Sequence, residues 1–280
     1  MRRVIVLEPP SIRRANPLDA VRRLPQFLDL FWTLSVHRIN VRYKQSRLGI
    51  AWAIVQPLSM MLVFTLMFSF LGSTPSQGVP YAVFAYSGLL PWSAFSSGVS
   101  SASGSLTGHA ALLTKVYFPR EILPLTYVVA ALVDLAIAGT VLAALLWWYQ
   151  INLTLNVVWA LPALVVLTTL LVALGLLLSA LQVRYRDVSL AMPVLLQIWL
   201  FATPVLYPLD MARHALPPAL YGLYVANPMA GVVDTFRRAL VLHESPDLHA
   251  LGIGALVSLM LVPAAYTYFK YSELTMADVV

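Results

Sequence analysis

The sequence predicts an all-α membrane protein with six transmembrane helices and both termini in the cytoplasm. Three observations predict it: the composition, the length of the uncharged runs and the placement of the cations. The 280 residues are 60% hydrophobic and only 11% charged. A soluble domain carries about 25% charged residues. At less than half that share the chain cannot solvate a globule of this size, so lipid must be the solvent for much of its surface. A net charge of +6 would point to nucleic acid in a polar protein. Here the cations cluster between apolar runs, which is the pattern of membrane topology, and no nucleic-acid partner is expected. Cysteine is absent, which excludes a disulfide framework, thiolate chemistry and cysteine metal sites.

Residues 1–48 read as a cytoplasmic N-terminal segment. Within LPQFLDLFWTL, Leu24, Phe27, Leu28 and Phe31 recur at helical spacing, with Gln26, Asp29 and Thr33 opposite, and Pro25 suits a first turn. This predicts an amphipathic helix at about 20–40 lying in the cytoplasmic interface. Arg38, Arg42, Lys44 and Arg47 follow it and would face lipid phosphates, or the phosphates of a lipid-linked substrate.

Residues 49–270 form the transmembrane domain. About 20 helical residues cross roughly 30 Å of hydrocarbon, and runs of at least that length fall near 49–71, 81–104, 122–149, 157–183, 188–207 and 249–269. The first apolar run begins too late and is too long for a cleaved signal segment, so none is expected. Inside the first span, Gln56-Pro57 interrupts the hydrogen-bond ladder. Such a break is tolerated where neighbouring helices or a conduit satisfy the freed carbonyls. Asp134 lies mid-span in the third helix. A lone carboxylate there costs several kcal/mol unless it is protonated or faces a polar interior. No other span carries an ionisable group at similar depth, which favours a structural or conduit-facing role over a proton relay.

Ten of the 18 cations precede residue 50, and Lys115, Arg120, Arg184, Arg186 and Lys270 fall on the same side of an even helix count. Only Arg213, Arg237 and Arg238 fall opposite. The positive-inside rule then puts both termini in the cytoplasm, with 271–280 as a cytoplasmic tail. The internal loop 105–121 contains SLTGHAALLTKVYFPRE. Ala110 to Tyr117 can form a short helix that Pro119 ends, and a stub between two rigid crossings can transmit a push to both. The outer segment 208–246 is too long for an unstructured loop. Asn227 can cap a helix with Pro228 at its first position. Met229, Val232, Phe236 and Leu240 then share a face, with Asp234, Arg237 and Arg238 on others. Two short helices, on or dipping into the outer leaflet as a lid or gate, are the expectation here.

Searches for chemistry find none. HExxH is absent, and His37, His109, His214, His243 and His249 lack metal-ligand spacing. There is no GxSxG elbow. GxxxxGK[ST] is missing too, so the chain has no P-loop of its own for nucleotide phosphates. The expectation is a non-catalytic chain with no metal or cofactor, relying on another polypeptide for any use of ATP.

Five strings, in order, carry a resemblance. VRYKQSRLGIAWAIVQPL at 41–58, KVYFPREILPL at 115–125, VRYRDV at 183–188, LFATPVLYP at 200–208 and NPMAGVVDTFRRAL at 227–240 resemble the ABC-2-type permeases that export O-antigen, capsule and teichoic acid. The likeness covers most of the chain from about residue 20 onward. It implies a homodimer of six-helix permeases around a conduit, two copies of a cytoplasmic P-loop ATPase that bind ATP and Mg, and a lipid-linked glycan as substrate. It places the permease in the bacterial inner membrane. It assigns ATPase coupling to Lys115, Val116, Tyr117, Phe118, Arg120 and Glu121, and the substrate headgroup to Arg38, Arg42, Lys44 and Arg47. It also suggests conduit aromatics at Trp52, Tyr81, Phe84, Tyr86 and Trp92, and an outer gate at Pro208, Asn227, Pro228, Phe236 and Arg237.

Other readings remain open at this point. A permease for a small molecule or drug shares the fold. An ion-coupled secondary transporter would need several charged groups at mid-membrane and internal repeats. An integral membrane transferase would need its carboxylates gathered, whereas Asp187, Asp210 and Asp234 are scattered.

Overall fold

The computed structural model describes residues 27–44, 49–72, 75–115 and 118–279, with backbone alone for 113–115 and 274–279. Among the described residues there are eleven α-helices, in chain order α1 Leu28–Lys44, α2 Trp52–Phe70, α3 Tyr81–Ser103, α4 Ala110–Lys115, α5 Ile122–Trp148, α6 Ala160–Arg184, α7 Asp187–Phe201, α8 Leu209–Ala215, α9 Pro218–Val225, α10 Pro228–Arg237 and α11 Leu248–Val279. No strand occurs among the described residues.

Among these residues four helices are long and apolar enough to cross a membrane: Gly49–Phe70, Ile122–Trp148, Leu155–Arg184 and Leu248–Glu273. The other two expected crossings correspond to α3 and α7, and each differs for a physical reason. Helix α3 has the length, 23 residues, but is diluted by serines. Its faces pack on α2, α5, α6, α7 and α10, and most of its side chains are buried, so it meets protein rather than lipid and has no need of an apolar surface. Helix α7 spans only 15 residues, about 22 Å at 1.5 Å per residue. It stops at Phe201 instead of running on to 207. Pro204 disfavours helix at the residue before it, and the turn that follows is held by groups described below.

Beyond that turn the expected pair of short helices is a set of three. Leu216-Pro217-Pro218 separates α8 from α9, with proline at the start of α9, where its missing N–H costs nothing. Helix α10 is capped as the sequence predicts. The Asn227 side chain accepts from the Met229 N–H at 3.1 Å, and Pro228 holds the first position. Every residue of α10 is buried, because the helix wedges between α3, α6 and α11. The wedge needs Gly231: a Cβ there would sit 2.6 Å from the Ala250 carbonyl oxygen.

Helix α1 lies against α5. Phe27, Leu30, Phe31 and Leu34 pack on a small core built on Leu106, Phe118, Ile122 and Phe269. Leu28, assigned to the apolar face by its spacing, instead points outward at 52% exposure. Leu24 and Gln26 lie outside the described residues. Helix α2 buries little beyond Pro57 and Met61, leaving an apolar flank open to lipid or protein.

Candidate functional site

Three groups of polar side chains punctuate this apolar frame. The first surrounds a cavity of about 230 Å³ between the C-terminal end of α1, the first turns of α2 and the middles of α3 and α5. Arg42, Tyr43, Trp52, Gln56, Ser93, Ser97 and Asp134 supply its polar lining, with Pro57, Leu90 and Leu135 among the apolar walls. Asp134 is the buried anion of the site. Arg42 Nη1 lies 2.7 Å from its Oδ2, and the Tyr43 hydroxyl donates to its Oδ1. An ion pair with an added hydrogen bond is what makes a buried carboxylate tolerable. Across the cavity, Pro57 lacks an N–H and so leaves the Ala53 carbonyl without its helical donor, and Ala53 lines the same space.

Of the four cations expected at a headgroup, Arg42 lines the cavity. Arg38 is bound elsewhere, Lys44 is exposed at the end of α1, and Arg47 lies outside the described residues. Among the five aromatics, Trp52 lines the cavity at 53% exposure. The other four are packed inside the single chain. The Tyr81 hydroxyl donates to the Leu206 carbonyl at 3.1 Å, and that of Tyr86 to the Ala138 carbonyl at 2.9 Å. Trp92 packs against Phe95, and Phe84 lies beneath Arg237.

The second group joins the segment before α5 to the C-terminal part of α11. Phe118 is buried in the small core. Arg120 Nη1 donates to the Glu273 carbonyl at 3.0 Å. Glu121 accepts from Lys270 Nζ at 2.9 Å, and the same ammonium reaches Glu273 at 2.8 Å. Arg120 and Glu121 therefore clamp the loop to α11. Lys115 ends α4, while Val116 and Tyr117 lie outside the described residues.

The third group lies at the turn after α7, and Arg237 is its centre. Its side chain is fully buried, the largest fully buried one among the described residues. Nη1 donates to the carbonyls of Pro204 at 2.9 Å and Tyr207 at 3.1 Å, and Nη2 to that of Val205 at 2.5 Å. The guanidinium carbon is 3.8 Å from the centroid of the Phe84 ring, within cation–π range. Gly88 makes room for this turn, since a Cβ there would lie 2.5 Å from both Arg237 Nη2 and the Val205 oxygen. Burial pushes the Arg237 pKa down to about 10, so the group stays charged. Next to it, Arg238 gathers Asp234 at 2.8 Å, Asp210 at 3.1 Å and Glu244 at 2.7 Å. Burial pushes Asp234 up to about 6, against the pull of Arg238 and Arg237.

The other residues expected at a gate lie near this turn. Pro208 precedes α8 and Phe236 is buried in the main core. Asn227 closes the arrangement by accepting from Trp199 Nε1 at 2.9 Å and donating to Thr203 Oγ1 at 2.9 Å. Sequence reading did not find the Arg238 network. The i, i+4 spacing of Asp234 and Arg238 was the available signal; Asp210 and Glu244 carried none.

Comparison with known proteins decides the family. The family described as ABC-2 type transporter matches residues 29–241, more than half the chain and all three groups of side chains except Glu244 and the α11 partners. The chain belongs to the ABC-2 type transporter family. This ABC-2 protein is 32% identical over 251 residues to the O-antigen export system permease protein RfbA of Myxococcus xanthus, covering 89% of this chain and 95% of that one. It is 26% identical to the protein of the same name in Klebsiella pneumoniae, covering 76% and 81%. It is 24% identical to the polysialic acid transport protein KpsM of Escherichia coli, covering 86% and 94%. Together with its four apolar helices, membership makes it a multi-pass membrane protein.

Proposed function

We propose that this chain is the membrane subunit of an ATP-driven exporter that carries lipid-linked polysaccharide from the cytoplasm to the outer face of the bacterial inner membrane. The observation that carries this reading is the 32% identity to an O-antigen export permease across 89% of the chain. In this reading α3 and α7 complete six crossings, both termini are cytoplasmic, and two copies pair with two copies of a P-loop ATPase that binds ATP and Mg.

In this reading each group has a part in that task. Arg42 spends Nη1 on Asp134 and Tyr43 its hydroxyl proton on the same carboxylate, so the cluster is neutral; the remaining N–H groups of the Arg42 guanidinium are the donors that an anionic headgroup, such as a lipid-linked phosphate or diphosphate, would meet at this cavity. Trp52 at its mouth offers a flat apolar face to a sugar ring. The segment from Lys115 to Glu121 is the docking surface for the ATPase. There Arg120 and Glu121 act as positioning residues, fixing the loop on α11 so that a push on the loop moves a membrane helix. The outer turn locked by Arg237 is the gate.

The test is co-purification followed by reconstitution. Expressed with its neighbouring reading frames, the chain should bring down a P-loop ATPase, and the pair should move a lipid-linked glycan across a bilayer only with hydrolysable ATP. Isolation without any ATPase, together with transport driven by a proton gradient, overturns the proposal.

A further inference from the structure

Helix α1 turns two arginines toward α5, Arg38 and Arg42, at the i, i+4 spacing that shares one face. Arg42 belongs to the cavity. Arg38 Nη2 lies 2.5 Å from His109 Nε2, and its guanidinium carbon is 4.1 Å from the centroid of the Tyr127 ring on α5. The second ring nitrogen of His109, Nδ1, lies 2.8 Å from the Ser105 carbonyl oxygen. A carbonyl only accepts, so Nδ1 carries the proton; a guanidinium only donates, so Nε2 is the bare acceptor. The imidazole is thus held as one neutral tautomer. The groups around it are Arg38 and His37 of α1, the Tyr127 ring edge-on at 6.4 Å, and the Ser105 carbonyl.

His109 closes the short helical turn Thr107–His109, and α4 begins at the next residue. Leu112 of α4 and the apolar face of α1 pack on the same small core. Two independent links, one polar and one apolar, therefore join α4 to α1. On α1, Arg42 is one turn beyond Arg38, with Tyr43 beside it.

We propose that the Arg38–His109 bond is a positioning relay: it ties α4 to α1, so that displacement of α4 moves Arg42 and Tyr43 and changes access to the cavity they line. The inference rests on the proposed function only for what displaces α4 and what fills the cavity. The linkage itself belongs to this chain. The relay has a built-in dependence on protonation. Burial, with Arg38 and His37 adding to it, lowers the His109 pKa below its ordinary 6.5 against the opposing pull of the Ser105 carbonyl. Protonated Nε2 would turn an N–H toward Arg38 and set two cations in contact. The bond is therefore intact above pH 6.5 and is lost as pH falls through the lowered value.

The chain has no native cysteine, so Q56C places a single thiol on the cavity wall. Its rate of modification by a small polar thiol reagent, in lipid nanodiscs, reports access. H109F and R38M should each change that rate by about tenfold, the scale of one lost hydrogen bond to a charged group, and H109Q, whose amide oxygen still accepts, by no more than about twofold. At each pH the rate is divided by that of the H109Q variant, which cancels the fall in thiolate common to both; as the pH is lowered from about 8 through the acid range, this ratio should move to the value that H109F gives against H109Q. The pH arm needs no destabilising substitution. Equal rates in all variants overturn the relay, as does a shift in H109Q as large as that in H109F, which would assign the effect to ring bulk. Labelling requires neither ATPase nor glycan. Its failure removes the relay and leaves the exporter reading standing, whereas absence of ATP-driven transport removes the exporter reading alone.

Discussion

Arg237→Met is the substitution that isolates the turn after α7. The thioether chain fills much of the space left by the arginine stem but cannot donate, so the carbonyls of Pro204, Val205 and Tyr207 lose their partner in a site that water does not reach. A buried acceptor left unpaired costs about 1–3 kcal/mol. With partial relaxation of the turn between α7 and α8, about 3–5 kcal/mol is expected, near the cost of breaking a buried charged network. Loss of the contact with Phe84 adds about 1 kcal/mol. On a chain of this length the melting temperature in detergent should fall by on the order of 10 °C. Arg237→Lys keeps the charge but offers one nitrogen where two are used, and should lie between. Arg238→Met supplies the comparison. Its partners Asp210 and Glu244 are about half exposed, so apart from the buried bond to Asp234 it should cost clearly less. Equal melting temperatures for the unaltered chain and Arg237→Met, or a larger loss from Arg238→Met, would refute the claim that Arg237 locks the turn.

Three further outcomes follow from the same geometry. Gly88→Ala should destabilise by about 1–3 kcal/mol, as overpacking does, because the new methyl meets Arg237 Nη2 and the Val205 oxygen at 2.5 Å; an unchanged denaturation midpoint would contradict it. Asp234 has its pKa raised to about 6 by burial, so its contribution to stability is greatest below its unfolded value of about 3.9 and is lost as pH rises to about 6. The melting temperature of the unaltered chain minus that of Asp234→Asn should thus decline between those pH values and level off above them. Glu121→Ala together with Arg120→Ala frees the loop from Lys270 and from the Glu273 carbonyl. That pair should lower the transport achieved per ATP hydrolysed, while transport at an undiminished rate would remove Arg120 and Glu121 from the coupling path.

How much was legible in the sequence depended on how local each signal was. Asn227-Pro228 announced the start of α10 because a cap is a contact between neighbours in sequence. The four apolar spans announced themselves because lipid demands a continuous apolar surface. Helix α3 satisfied the length rule but not the apolar one, since its partners are protein. Leu28 obeyed the helical spacing and still faces outward, because the face that packs on the small core runs through Phe27, Leu30, Phe31 and Leu34. The site was harder. Asp134 stood out as a carboxylate in a span, but its partners Arg42 and Tyr43 are about ninety residues away, and no spacing rule links them. His109 looked like an isolated histidine until Arg38, 71 residues earlier, was brought against it. Arg237 is assigned to an outer gate by resemblance alone, and only the fold shows that three carbonyls and a ring enclose it.

On the proposed function, this ABC-2 protein exports lipid-linked glycan with the energy of ATP supplied by a partner. The most direct measurement reconstitutes the chain with its co-purified ATPase in sealed vesicles and follows the appearance of a lipid-linked glycan on the far face. The account predicts transfer that requires hydrolysable ATP, stops with a non-hydrolysable analogue and falls when Arg42 is replaced by alanine. Transfer that proceeds without the ATPase under a proton gradient, or ATP-driven transfer of small molecules with none of glycan, would contradict it.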